Sequence, residues 1–185
     1  WDEQIEDNGD GSAKGLANLL QDRIARLSEP ARRVLCAAAC LNHSFDEALL
    51  SASLGLADES VAQGLSELLN EGLLVAFDGA EIVFEFPHDR IHQAAIESCS
   101  PELRNSIHLR AAQFLLAIAR QSQRSNPYLF SLVEHLEAAC DLINSPDQRL
   151  EAAHACLAAT VRAEQNAAWS TVQHAAQTAL RFLPE

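Results

Sequence analysis

The apolar positions of the first half fall at helical spacing. Leu16, Leu19, Leu20, Ile24 and Leu27 share one face, the stripe of an amphipathic helix. Ser28, with Pro30 two residues on, reads as the N-cap of a second helix through Val34, Leu35, Ala38 and Leu41. A short helix follows over about Asp46–Leu54 and stops at Gly55. Asp58 reads as the N-cap of a fourth helix, with Val61, Leu65, Leu68 and Leu69 inward and Gly72 at its end.

The period then shortens. Leu73 to Phe77 is an apolar run, Asp78-Gly79 is a turn signal, and Ile82, Phe84 and Phe86 alternate with Val83 and Glu85. The pattern predicts one β-hairpin and no other strand. Three helices followed by a hairpin is the winged-helix order. After Pro87 the chain reads as helix throughout, over about His88–Ser98, Pro101–Gln121, Pro127–Ile143, Pro146–Gln165 and Ala167–Leu183. Ser100-Pro101 and Ser145-Pro146 each pair an N-cap with a first-turn proline. Such punctuation predicts stacked antiparallel helical hairpins. The last pair is rich in alanine and matches the length of a tetratricopeptide (TPR) repeat. Trp169, Ala179 and Pro184 fit that pattern, whereas Thr160 stands where a small Gly or Ala is usual.

The expected fold class is therefore mainly α. An acidic linker occupies 1–13, a winged-helix domain 14–98, and an α-helical TPR-like region 99–185. The 185 residues contain no Met, even at position 1, so the sequence reads as a piece of a longer protein. No apolar run reaches membrane-spanning length.

Charge narrows the function. The net charge is −13 and Lys14 is the only lysine. A nucleic-acid binder must displace the cations around phosphates, so it is normally basic. The helix that would enter a major groove carries Asp58, Glu59, Glu67 and Glu71 and no Lys or Arg. The hairpin adds Asp78, Glu81 and Glu85. Those carboxylates have the wrong sign for phosphates and base acceptors, which argues against a DNA-binding transcriptional regulator. Cys36, Cys40, Cys99, Cys140 and Cys156 are odd in number and include no Cys-x-x-Cys. They read as reduced thiols of a cytoplasmic protein, most of them in apolar helical patterns.

Candidate chemistry is sparse. Gly9-Asp10-Gly11-Ser12-Ala13-Lys14-Gly15 lacks the Gly before and the Ser or Thr after the Lys of a phosphate loop. It also lacks the twelfth-position Glu of an EF-hand. No nucleophile-elbow triad appears. Arg32-Arg33 reads as a solvated helix face. The sharpest motif is Phe86-Pro87-His88-Asp89-Arg90-Ile91-His92. His88 and His92 are i, i+4, the spacing of zinc-protease ligands, but Asp89 is a methylene short of the usual Glu base and no third ligand follows. The plain alternative is that Asp89 caps a helix while the two histidines pack. No catalytic and no metal-binding residue is assigned.

Leu27-Ser28-Glu29-Pro30-Ala31-Arg32-Arg33-Val34-Leu35, followed by Phe45-Asp46, resembles the start of the winged-helix region of STAND-class signal-transduction ATPases. These are large bacterial AAA-like proteins fused to serine/threonine kinases, hybrid histidine kinases or cyclases. Phe86 to Ile96 resembles that family's Phe-x-His-Asp-Arg-Val-x-Gln-Ala-Ala-Tyr signature, with Ile96 in place of the aromatic. Ala179 to Pro184 resembles the end of the first helical repeat, and the stretch after Trp1 is similar to the exit from the ATPase core.

The resemblance implies a non-catalytic regulatory segment. His88 would sense the nucleotide, Asp89 would support the turn, and Arg90 and His92 would assist. Cofactors would be none in the fragment itself, with ATP or ADP and Mg in the parent protein. Its partners would be the upstream ATPase domain, downstream helical repeats and signalling domains, and a protein effector, with no nucleic acid and no membrane. A plain helical-repeat scaffold is the remaining alternative.

Overall fold

A computed structural model describes residues 9–41, 44–55, 58–79, 82–121 and 128–183. Its elements are α1 (Gly9–Arg26), α2 (Glu29–Cys40), β1 (Ser44–Asp46), α3 (Glu47–Leu54), α4 (Asp58–Asn70), β2 (Val75–Phe77), β3 (Val83–Glu85), α5 (Asp89–Ser98), α6 (Pro101–Gln121), α7 (Leu129–Ala138), α8 (Pro146–Gln165) and α9 (Trp169–Phe182). The fold is mainly helical with one small sheet. Among the described residues, no helix is long and apolar enough to cross a membrane.

The chain divides into two compact units, one of residues 1–45 and 57–100, the other of 46–56 and 101–185. In the first, α2 packs on α4 and α5, and α1 packs on α5. Ala31, Val34, Leu35, Ala37 and Ala38 of α2 are fully buried, as are Val61 and Leu68 of α4. Ser28 caps α2 by accepting from the Ala31 amide at 3.3 Å. α4 gives way at Gly72, whose φ of +64° is the left-handed conformation that ends a helix with little cost only at Gly.

Three expectations for this unit need correction. α1 begins at Gly9, inside the stretch whose glycines suggest a linker; residues 1–8 lie outside the described part. Docking of Leu20, Ile24 and Leu27, all buried, supports a helix that local propensity alone disfavours. Leu19 is not part of that inward face, being 62% exposed.

The hairpin is also not the whole β content. β2 and β3 pair antiparallel with Ala76 opposite Phe84, and β1 joins beside β3 to give the order β1-β3-β2. A three-residue strand shows too few alternations to register in sequence. Its anchor is tertiary: Phe45 stacks on Phe84 at 5.9 Å between ring centroids. The Asp58 side chain and residues 80–81 of the hairpin turn lie outside the described part.

In the second unit α3 packs on α6, although in sequence it groups with the N-terminal helices. Asp46 holds its start twice over. One carboxylate oxygen accepts from the Leu49 amide at 2.7 Å, and the other accepts from the Tyr128 hydroxyl at 3.2 Å. Gly55 ends α3 with φ +59°, and Arg110 of α6 donates to the Leu54 carbonyl at 3.0 Å.

α6 packs on α7, α7 on α8, and α8 along α9. The buried residues of α8 are Ala152, Ala153, Cys156, Ala159 and Ala163, and those of α9 are Ala175, Thr178, Ala179 and Phe182. Apart from Phe182 these side chains are small, which lets helices approach closely. Two expectations fail here. Helix α7 starts at Leu129 and stops at Ala138, and a 3-10 turn over Cys140–Leu142 replaces the predicted continuation to Ile143. The tightened turn brings Ile143 into the core, 5% exposed. Ser145 makes no side-chain cap bond to α8. Residues 122–127 and Pro184 lie outside the described part.

Candidate functional site

The Phe86–His92 segment leaves β3 and opens α5. Phe86 and Ile91 are buried, Pro87 is half-buried, and His88, Asp89 and Arg90 are exposed. His88 is the N-cap residue, with extended φ −151° and ψ 141°, the non-helical backbone usual at that position. Its side chain makes no cap hydrogen bond. Asp89 is the first helical residue, so the sequence expectation that it caps α5 is corrected. A carboxylate there interacts favourably with the helix dipole instead.

His92 plays a different part from His88. Its Nε2 lies 2.9 Å from the Ala39 carbonyl oxygen, so that nitrogen carries the hydrogen and donates. Its ring lies against Phe86, 4.9 Å between centroids. One turn of helix therefore separates an outward imidazole from one tied to the end of α2. Spacing alone puts both on one side of a helix; the Ala39 carbonyl decides that only His92 turns inward. The two are not brought together as a ligand pair. Among the described residues, no group of three or more His, Cys, Asp and Glu could hold a metal ion.

The carboxylates of α4 do not all stand as an open acidic face. Glu67 of α4 is bonded to Ser28. Glu71 faces Arg23 at 3.6 Å, and Arg23 also donates to the Glu71 carbonyl. Two of the carboxylates that would oppose DNA therefore have partners inside the unit. Arg32 is not merely solvated either. It donates to the Leu27 carbonyl at 2.7 Å and to Glu29 at 2.7 Å, tying the end of α1 to the start of α2.

None of the five cysteines is in a disulfide, and all are buried. Burial pushes Cys156 up to about 12. A hydrogen bond with Cys99, then burial, push Cys36 upward. Thiols held protonated in this way are poor nucleophiles.

In the second unit a cleft of about 200 Å³ is lined by Leu109, Leu116 and Ile143 and crossed by the Arg120–Glu151 ion pair at 2.5 Å. His108 and His135, which stand in no motif of the sequence, are brought into contact by the fold. A signal was available for His135: it interrupts the apolar run Leu132-Val133 and Leu136 on the buried face of α7.

Comparison with family models, with curated proteins and with solved structures returns no match for this chain.

Proposed function

We propose that this chain is a non-catalytic regulatory and interaction segment of a multidomain signalling ATPase, of the STAND class that its sequence resembles. The observation that carries the reading is the exposure of His88, Asp89 and Arg90 side by side at the start of α5, directly after the hairpin. A ring nitrogen of His88 can donate to a phosphate oxygen of ADP held by an adjoining ATPase core. Asp89 strengthens the helix start that presents it, and Arg90 adds a cation beside it. His92 assists from within, by fixing the turn of α5 to α2. ATP or ADP and Mg belong to the core, and this chain supplies no catalytic residue.

In this reading the first unit is a winged helix, with β2 and β3 as the wing. The place of β1 beside β3 supports that assignment. The second unit is TPR-like, supported by the alanine seam of α8 and α9. The winged helix is then a lid whose position follows the nucleotide, a two-state element biased by ligand. The helical repeats relay that change to downstream repeats and signalling domains or bind a protein effector. Location in the cytoplasm and the absence of nucleic-acid and membrane partners belong to the same proposal.

Calorimetry should detect no binding of ADP or ATP to the 185-residue chain alone; micromolar binding would contradict a sensing role that needs a separate core. Joined to its ATPase core, the His88→Ala protein should release ADP faster and signal more without stimulus. An unchanged ADP off-rate and output would overturn the reading.

A further inference from the structure

Helices α6 and α7 meet through two imidazoles. The Nδ1 atoms of His108 and His135 lie 2.9 Å apart, with 5.1 Å between ring centroids. At that distance a bond exists only if one Nδ1 carries a hydrogen and the other does not. His135 is 1% exposed, and its Nε2 faces the Ser131 hydroxyl at 3.4 Å. His108 is half-buried, so a proton can reach the pair from its side.

We infer that the His108–His135 contact is an acid-operated clasp between α6 and α7, closed while at least one imidazole is neutral and opened when both carry a proton. A first proton can settle on the outer nitrogen of the donor ring and leave the bond in place; a second puts a hydrogen on both facing Nδ1 atoms. The bond between them is then lost, and a charge is left where burial is nearly complete. Relief requires the rings to separate, and with them the helix faces that carry them.

Among the described residues, the charge that acts on His135 is that of His108, and Asp141, in the 3-10 turn packed on α7, lies 4.0 Å from Arg181. Arg104 on α6 disfavours a cation at His108, and Glu134 on α7 partly offsets it. Helix α3, packed on α6, carries one charged residue, Glu47. From α9, His174 and Arg181 engage Glu137. From α8, Glu151 pairs with Arg120 and Arg149 donates to the Ile143 and Arg181 carbonyls.

Burial, then the His108 charge, hold His135 down at about 4. Burial also lowers His108. Both folded values lie below the ordinary imidazole value of 6.5. The folded chain thus binds fewer protons than the unfolded one. The stabilisation is complete above the unfolded value and is lost as pH falls from about 6.5 toward about 4. At pH 5, His135 alone should raise the unfolding equilibrium constant about thirtyfold relative to about pH 7.5.

The test uses the whole 185-residue chain. Nitrogen chemical shifts of the imidazoles report protonation, and urea titrations at about pH 7.5 and about pH 5 report stability, a range in which ordinary carboxylates stay ionised. His135 should remain neutral at about pH 5.5. The acid loss should shrink by about thirtyfold in His135→Gln. In His108→Gln the amide oxygen can accept from a protonated His135, so the His135 titration should move up toward the ordinary value. A wild-type His135 that titrates near 6.5, or an unmoved His135 titration in His108→Gln, would overturn the proposal. Should His135→Gln not fold, the wild-type and His108→Gln titrations still decide.

Discussion

The carboxylate of Glu67 accepts two hydrogen bonds from Ser28, one from its backbone amide at 2.8 Å and one from its hydroxyl at 2.5 Å. The same hydroxyl oxygen accepts from the Ala31 amide. A chain of bonds therefore runs from α4 through the cap into the first turn of α2. Local sequence supplies the cap; α4 supplies the anion that orients it.

Ser28→Ala should lose the cap and the hydroxyl donor together, a cost of about 1–2 kcal/mol. Glu67→Gln keeps the shape but removes the charge and should cost about 1 kcal/mol, the scale of one hydrogen bond. The Ser28 hydroxyl, then the Ser28 amide, hold the Glu67 carboxyl below its ordinary 4.5. Its stabilisation is therefore fully present above that ordinary value and fades as pH falls through the lower folded one. Urea midpoints of wild type and Glu67→Gln should differ at about pH 6 and converge on acidification. A constant gap would show that the charge is not the source of the bond's strength.

Gly64 sits inside α4, where glycine ordinarily costs about 1 kcal/mol relative to Ala. A Cβ at this position would lie 2.7 Å from Val34 Cγ2 and 3.0 Å from the Pro30 carbonyl oxygen. The α2 backbone has no room to give way. Gly64→Ala should therefore destabilise by about 1–3 kcal/mol through overpacking, despite the gain in helix propensity. A raised melting temperature would mean that α2 and α4 are not so close.

The two histidines of α5 should separate cleanly on mutation. His92→Ala removes a bond to the Ala39 carbonyl and a ring contact with Phe86, and should cost about 1–2 kcal/mol in a denaturation midpoint. His88→Ala removes an exposed side chain with no cap bond and should stay within about 0.5 kcal/mol. A large loss at His88 would make it a structural residue and leave the sensing role without its main support.

Much of the helical layout was legible because it is written locally. The 3.6-residue period of Val61, Leu65 and Leu68 placed α4's buried face, and all three are buried. Asp78-Gly79 between two apolar runs placed the hairpin, and β2 and β3 flank it. Pro101 and Pro146 marked the starts of α6 and α8, and both helices begin there. The Phe86–His92 motif was legible as a unit, but not the opposite fates of its histidines.

By itself the sequence determined where most helices start and stop, such as α6 at Pro101 and α8 at Pro146, most of the apolar faces, and which residues stand at the head of α5. Those depend on propensity, caps and periods within a few residues of chain. Tertiary structure decided that Leu19 faces out while Ile24 faces in, that β1 completes a sheet through Phe45, and that α3 packs on α6. It also decided that His92 meets Ala39 and that His108 meets His135. Each of these is a meeting of side chains from distant segments. Their partners are chosen by how helices pack around a shared core, which no local period encodes.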